Sequence, residues 1–207
     1  MNATIKKAAD YPVKEIEETV AVLIYESFQT KFTVCLFSSK EAHKIALTLS
    51  YFLCTIKAEQ LFLAETPHGI GGCVYLATKN DTYYYLKHLL KREYSIITRI
   101  KVTFLLSLLS HPVKATELYI DFMSVLPNFR SHGVGQQLMA HCKSLACKQH
   151  LPLTLYVAHN NQRALAFYQK EKFIKKKQRI SLLTQQIVKN KRWYYMEWSE
   201  LDENRHD

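Results

Sequence analysis

The chain has 207 residues, 48% hydrophobic and 22% charged, and 28 basic against 18 acidic side chains give it a formal net charge of +10. That length exceeds what one compact domain needs and falls short of two, and the composition excludes a disordered chain, so one domain with an insertion is expected. The positive balance attracts anions of several kinds. Its basic runs, 170–179 and 189–192, read as a solvated face, and no aromatic-studded RNA-recognition motif accompanies them, so nucleic acid is not an expected partner.

No apolar run follows the lysines of the first ten residues, and the most apolar segment, 96–109, is interrupted by Arg99 and Lys101 and is too short for a bilayer. A cytoplasmic chain with no membrane partner is expected. The cysteines (Cys35, Cys54, Cys73, Cys142, Cys147) are odd in number and form no C-x-x-C pair, which suggests reduced thiols and neither a disulfide framework nor a metal site.

In chain order, a short strand over 3–7 leads to Asp10 and Pro12, which suit a helix start. Val13, Ile16, Val20, Leu23, Ile24 and Phe28 then repeat every three or four residues and make one buried helical face. Ser38 with Glu41 three residues on is a capping box for a second helix to about Thr55. Strands follow near 60–65 and 72–78, with His68, Gly69 and Gly71 making the turn. Residues 81–114 read as a helical insertion. A strand over 117–126, stopped by Pro127, a helix over 135–150, a strand over 153–158, a helix over 161–170 and two strands near 173–183 and 193–199 complete an α/β alternation. The helix over 135–150 should bury Leu138, Cys142, Leu145 and Gln149, with Met139 and Ala146 flanking.

The informative stretch is 118–139. A strand enters the tight loop Arg130-Ser131-His132-Gly133-Val134-Gly135, which opens a helix. Amides at a helix start lack intrahelical acceptors and lie at the positive end of the helix dipole, so they can cradle a pyrophosphate, and glycines let the backbone come close. A P-loop would need Lys-Ser or Lys-Thr where Gln136 and Gln137 stand, and a dinucleotide fingerprint a small residue where Leu138 stands. On the preceding strand Leu118, Ile120 and Phe122 alternate with Glu117, Tyr119 and Asp121, which predicts a polar face beside a wet cleft. Glu117 and Asp121 are candidate bases or amine-binding carboxylates there. His132, His141 and His159 fall in loops or on an exposed helix side.

The loop resembles the Q/R-x-x-G-x-G/A signature of the GNAT superfamily of N-acetyltransferases, and Asn161, Ala164 and Tyr168 resemble its N-x-x-A-x-x-x-Y helix. Element order is similar along nearly the whole chain, leaving 81–114 unmatched. The resemblance implies a mixed central sheet with helices on both faces, acetyl-coenzyme A as cosubstrate and a primary amine, on a small molecule or a protein, as acceptor. It places the pyrophosphate on Arg130, Ser131, His132, Gly133, Val134, Gly135 and Gln136. A backbone donor near Ser124 or Val125 would meet the developing negative charge, Asn161 the pantetheine arm, and Tyr168 would protonate the departing thiolate. Ser131 stands where the family often has glycine, and so does Lys172. The insertion is expected over the acceptor side of the cleft, with Tyr83, Tyr84, Tyr85, Leu89 and Leu90 as a pocket wall; core packing and a homodimer contact are its other open roles. A non-catalytic acyl-coenzyme A-binding module and an RNA-associated basic protein are the alternative functions.

Overall fold

A computed structural model of the chain describes residues 2–33, 36–79 and 84–200; Cys35 and Tyr83 lie outside them. The strands β1 (Thr4–Lys7), β2 (Leu61–Thr66), β3 (Gly69–Ala77), β4 (Leu118–Val125), β5 (Leu153–Ala158), β6 (Ile174–Ile180) and β7 (Arg192–Trp198) form one sheet in the order β1-β2-β3-β4-β5-β7-β6. Neighbours are antiparallel except β4 and β5, which run parallel. Helices cover both faces, which is why the central strands read as nearly continuous apolar runs.

One face carries α1 (Val13–Thr33), α2 (Ser39–Ile56) and the insertion helices α3 (Tyr84–Glu93) and α4 (Ile96–Leu109). Ile16, Val20, Leu23 and Ile24 of α1 meet Tyr75, Tyr119 and Phe122 of the sheet, and Leu86, Leu90, Val102 and Leu105 bring α3 and α4 into the same core. The capping box forms as its spacing predicts: the Glu41 amide donates to Ser38 Oγ at 3.3 Å and the Ser38 amide to Glu41 Oε2 at 2.9 Å.

The other face carries α5 (Val134–Gln149) and α6 (Gln162–Lys170), with Leu138, Met139, Cys142, Ala146 and Leu165 packed on Ile120, Leu153, Leu155 and Met196. The buried stripe of α5 is turned one position from the sequence expectation. Met139 and Ala146 are fully inside, Leu145 is half-buried and Gln149 is exposed. Gly71 lies within β3, outside the hairpin turn: a Cβ there would stand 2.7 Å from the Phe129 ring, so the missing side chain admits the Pro127–Phe129 turn above it. The strand expected over 173–183 stops at Ile180. A helix, α7 (Leu182–Val188), follows, with Ser181 Oγ accepting from the Thr184 amide at 3.3 Å. Among the described residues no helix is long and apolar enough to cross a membrane.

Candidate active site

The parallel pair at the sheet centre opens. β4 and β5 pair at Leu118↔Leu153, Tyr119↔Thr154 and Ile120↔Leu155 and then separate, while β4 runs on to Val125 and β5, paired with β7, to Ala158. In antiparallel pairing, residues alternate between those bonded to the partner and those facing away. The Leu126 amide donates to Gly71 O on the β3 side at 2.9 Å, so the Val125 and Met123 backbone groups face the gap left by β5. The Ser124 backbone faces β3, and its hydroxyl donates to Leu23 O of α1 at 2.9 Å. Of the two candidate backbone donors, Val125 therefore borders the gap.

The register passes from Tyr75↔Phe122 to Leu76↔Ile120, which leaves Asp121 as the extra residue of a β-bulge. The bulge overturns the simple alternation expected for this strand. Phe122 shares the α1 face with Tyr119, and no longer follows Leu118 and Ile120 to the α5 face. Asp121 is exposed.

On the α5 side, the turn 130–133 brings the chain into the helix start. Gly133 has φ +85°, and Ser131 also adopts the left-handed region at 65°. A side chain costs about 1 kcal/mol there, which glycine avoids. The first-turn amides of Val134, Gly135 and Gln136 have no intrahelical acceptor. Arg130 donates through Nε to Val125 O at 2.9 Å and lies 3.8 Å from Glu26, tying the loop to the end of β4 and to α1. His132 is exposed, with Nδ1 2.8 Å from Arg130 O.

Asn161 caps α6, its Oδ1 accepting from the Ala164 amide at 3.1 Å, so the side-chain NH₂ is what it can offer a ligand. Seven residues on, Tyr168 packs on Phe167 and Phe173, with ring centroids 5.5 and 5.7 Å away. No described residue hydrogen-bonds its hydroxyl. Burial, and then the neighbouring Cys142, pushes that hydroxyl up to about 12, so it keeps its proton at neutral pH. The helix exit holds without the family's glycine: Lys172 takes φ 61°, and the Phe173 amide donates to Tyr168 O at 2.9 Å.

Glu117 and Asp121 have unlike surroundings. Glu117 is 5% exposed, and its carboxylate accepts from the Lys114 amide (2.9 Å), His111 Nε2 (3.0 Å), Thr154 Oγ1 (2.9 Å) and Tyr195 OH (2.6 Å). Burial alone would push its pKa up. The hydrogen bonds, led by Tyr195 and the Lys114 amide, outweigh burial and hold it below the usual carboxylate range. Asp121 instead lines a cavity of about 450 Å³ on the α1 face, walled by Phe28, Tyr75, Tyr119, Phe122 and Tyr156 and by Leu86, Leu90, Thr103 and Leu106 of the insertion. The insertion thus reaches the cavity; of the residues expected in its wall Leu90 lines it, whereas Leu89, Tyr84 and Tyr85 do not, the two tyrosines being 64% and 56% exposed. Sequence reading passed over His111 and Tyr195, whose approach to Glu117 depends on tertiary packing.

The other candidate histidines, His141 and His159, do not line this cavity. His141 is half-buried beside Phe62, and His159 Nδ1 lies 3.0 Å from Tyr194 OH. Among the described residues no group of three His, Cys, Asp or Glu side chains could hold a metal ion.

Residues 78–173 match the profile of the Acetyltransferase (GNAT) family. No curated protein matches significantly. An N-acetyltransferase structure from Staphylococcus aureus Mu50 superposes with a TM-score of 0.66 at 19% identity over 95% of this chain and 100% of that one. Ard1 from Thermoplasma volcanium gives 0.56 at 19% identity over 96% and 97%. The ribosomal-protein-S18-alanine N-acetyltransferase from Escherichia coli gives 0.51 at 12% identity over 94% and 92%. At such identities the likeness speaks for the fold, and the profile covers the strand, loop and helices that build the gap. Over residues 78–173 the chain resembles the GNAT acetyltransferase family, and its fold is that of the N-acetyltransferase structures on which it superposes.

Proposed function

We propose that this protein is an N-acetyltransferase that carries an acetyl group from acetyl-coenzyme A to the primary amine of an acceptor with an apolar body. The observation that carries the reading is the opening between β4 and β5, with a glycine-turn helix start on one face of the sheet and an apolar cavity containing Asp121 on the other. A thin pantetheine arm fits such an opening, and so does a pyrophosphate at amides over which Gly133 places no side chain.

Acetyl-coenzyme A would supply the electrophile, a thioester carbonyl. The amides of 131–136 hold the pyrophosphate, and the Asn161 NH₂ holds the arm. The Met123 and Val125 amides border the gap and meet the charge that develops on the carbonyl oxygen. Tyr168 hands its proton to the departing sulfur. Asp121, exposed at the bulge, attracts the ammonium form of the acceptor, and Glu117, its lone pairs occupied, positions its neighbours.

The test is thiol release from acetyl-coenzyme A with a panel of amines, read together with a product mass raised by one acetyl group. Amine-dependent release, strongest for apolar amines, is expected. Tight binding of acetyl-coenzyme A with no release for any amine would replace this reading with a non-catalytic binding module.

A further inference from the structure

The cavity on the α1 face has a mostly apolar lining whose charged members are Asp121 of β4, Arg179 of β6 and Lys87 of α3. The roles above use Asp121 and leave both cations unassigned. Near Arg179 the other polar groups of the wall are occupied: Trp193 Nε1 donates to Thr184 Oγ1 at 3.1 Å, and that hydroxyl donates to Ser181 O at 3.0 Å. No described residue hydrogen-bonds or ion-pairs with the Arg179 guanidinium, so its N–H donors are open to a ligand. Lys177, two residues earlier on the same face of β6, is exposed and likewise unpaired among the described residues, and it adds to the positive potential there.

The sheet register sets the distance from the gap. Arg179 pairs with Trp193 of β7, and Trp193 pairs with Ala158, the last residue of β5, where that strand borders the gap. Directly opposed residues of antiparallel strands share a face, so Arg179, Trp193 and Ala158 form a row on the cavity side. Two strand spacings put Arg179 about 10 Å from the edge of the gap. Asp121 stands on the other strand of the gap, β4. A molecule with its amine at the gap therefore crosses Tyr156 and Trp193, both in the wall, before it meets the guanidinium. Lys87 comes from the insertion and also borders a second groove along α4, and no strand pairing ties it to the gap.

We infer that Arg179 is a specificity-determining residue that binds an oxyanion, a carboxylate or a phosphate, at the end of the acceptor remote from its amine. The inference rests on the acyl-transfer reading above and narrows its acceptor to an amphipathic molecule charged at both ends: ammonium at Asp121, apolar body across Tyr156 and Trp193, anion on the guanidinium. The planar fork of an arginine matches two oxygens of either anion. An α-amino acid, whose two charges share one carbon, is too short to bridge the row. Opposite charges at the two ends also fix the direction of entry. The reversed molecule would set its anion against Asp121 and its ammonium against Arg179, so the productive orientation, amine toward the thioester, is the one the charges favour.

The test uses the full chain with octylamine and its ω-hydroxyl, ω-carboxylate and ω-phosphate analogues. Wild type should acetylate an anionic analogue with kcat/KM about tenfold above that of octylamine and of the ω-hydroxyl analogue, the gain lying in KM; a gain for the carboxylate or for the phosphate supports the assignment and names the oxyanion. Arg179→Gln should bring the anionic analogues down to the level of octylamine, and Arg179→Glu should take them below it, both at unchanged acetyl-coenzyme A affinity. Arg179 is exposed on the edge strand of the sheet, so both variants should keep the wild-type Tm. Equal kcat/KM for charged and uncharged analogues in wild type, or a preference that survives Arg179→Gln, overturns the subsite and leaves the transfer reading standing. Calorimetry separates the converse case: binding of an anionic analogue that depends on Arg179, with no acetylation of any amine, upholds the subsite and overturns the transfer reading. Failure of wild type to bind either anionic analogue overturns the subsite, whatever other amines it acetylates.

Discussion

Truncating Glu117 to alanine should be among the most damaging single changes to stability. The carboxylate gathers donors from four places in the chain: His111, the Lys114 amide, Thr154 on β5 and Tyr195 on β7. Of these, the Thr154 hydroxyl can turn to Leu118 O, 3.5 Å away, whereas the Lys114 amide cannot turn and His111 is held among three aromatic rings. Two donors left without partners at about 1–3 kcal/mol each put the loss near 4 kcal/mol. For a chain of this size that corresponds to about 8–16 °C in Tm. Glu117→Gln retains one acceptor and should lose less. The pH dependence adds an independent check. Because the folded carboxyl lies below its ordinary 4.5, its stabilising contribution is complete above that value and disappears as pH falls through the folded value. Urea unfolding across acidic pH should therefore show the gap between wild type and Glu117→Gln closing in that window. A gap that stays constant with pH, or an alanine variant within about 0.5 kcal/mol of wild type, would refute the reasoning.

Tyr168→Phe should cut kcat by about 100-fold or more at unchanged acetyl-coenzyme A affinity, and its Tm should not fall, since no described residue bonds the hydroxyl; equal kcat where chemistry limits turnover would remove the acid role. Gly133→Val forces a branched side chain into φ +85° and over the amides beneath, and should weaken coenzyme A binding about tenfold or more by calorimetry; unchanged affinity in a folded variant would contradict the loop assignment. Leu106→Trp should fill part of the 450 Å³ cavity and raise acceptor KM with coenzyme A affinity constant, whereas Tyr84→Ala and Tyr85→Ala, outside the wall, should leave KM alone.

What the sequence made legible is what depends on neighbours along the chain. The Ser38–Glu41 box and the glycine turn into α5 each operate over a few residues, and each forms where its spacing placed it. Features set by partners distant in sequence were out of reach. The bulge at Asp121 exists because β3 and β4 slip by one residue, and nothing in the alternation of β4 announces it. Glu117 reads as half of a polar face, yet lies buried because Thr154 and Tyr195 arrive from other strands. The separation of β4 from β5 is likewise a property of the pair. The short helix α7 escaped for a different reason: Thr184, three residues after Ser181, offers no carboxylate for a capping box, and the alternating residues before it extended the apparent strand.

The central claim, that acetyl-coenzyme A enters the opening between β4 and β5 with its pyrophosphate on the α5 turn, is tested most directly by amide hydrogen exchange with and without acetyl-coenzyme A. The account predicts slowed exchange at 131–136 and at Met123 and Val125, with β1 and β2 unaffected. Unchanged exchange at both segments under saturating acetyl-coenzyme A, or protection confined to another part of the sheet, would contradict it.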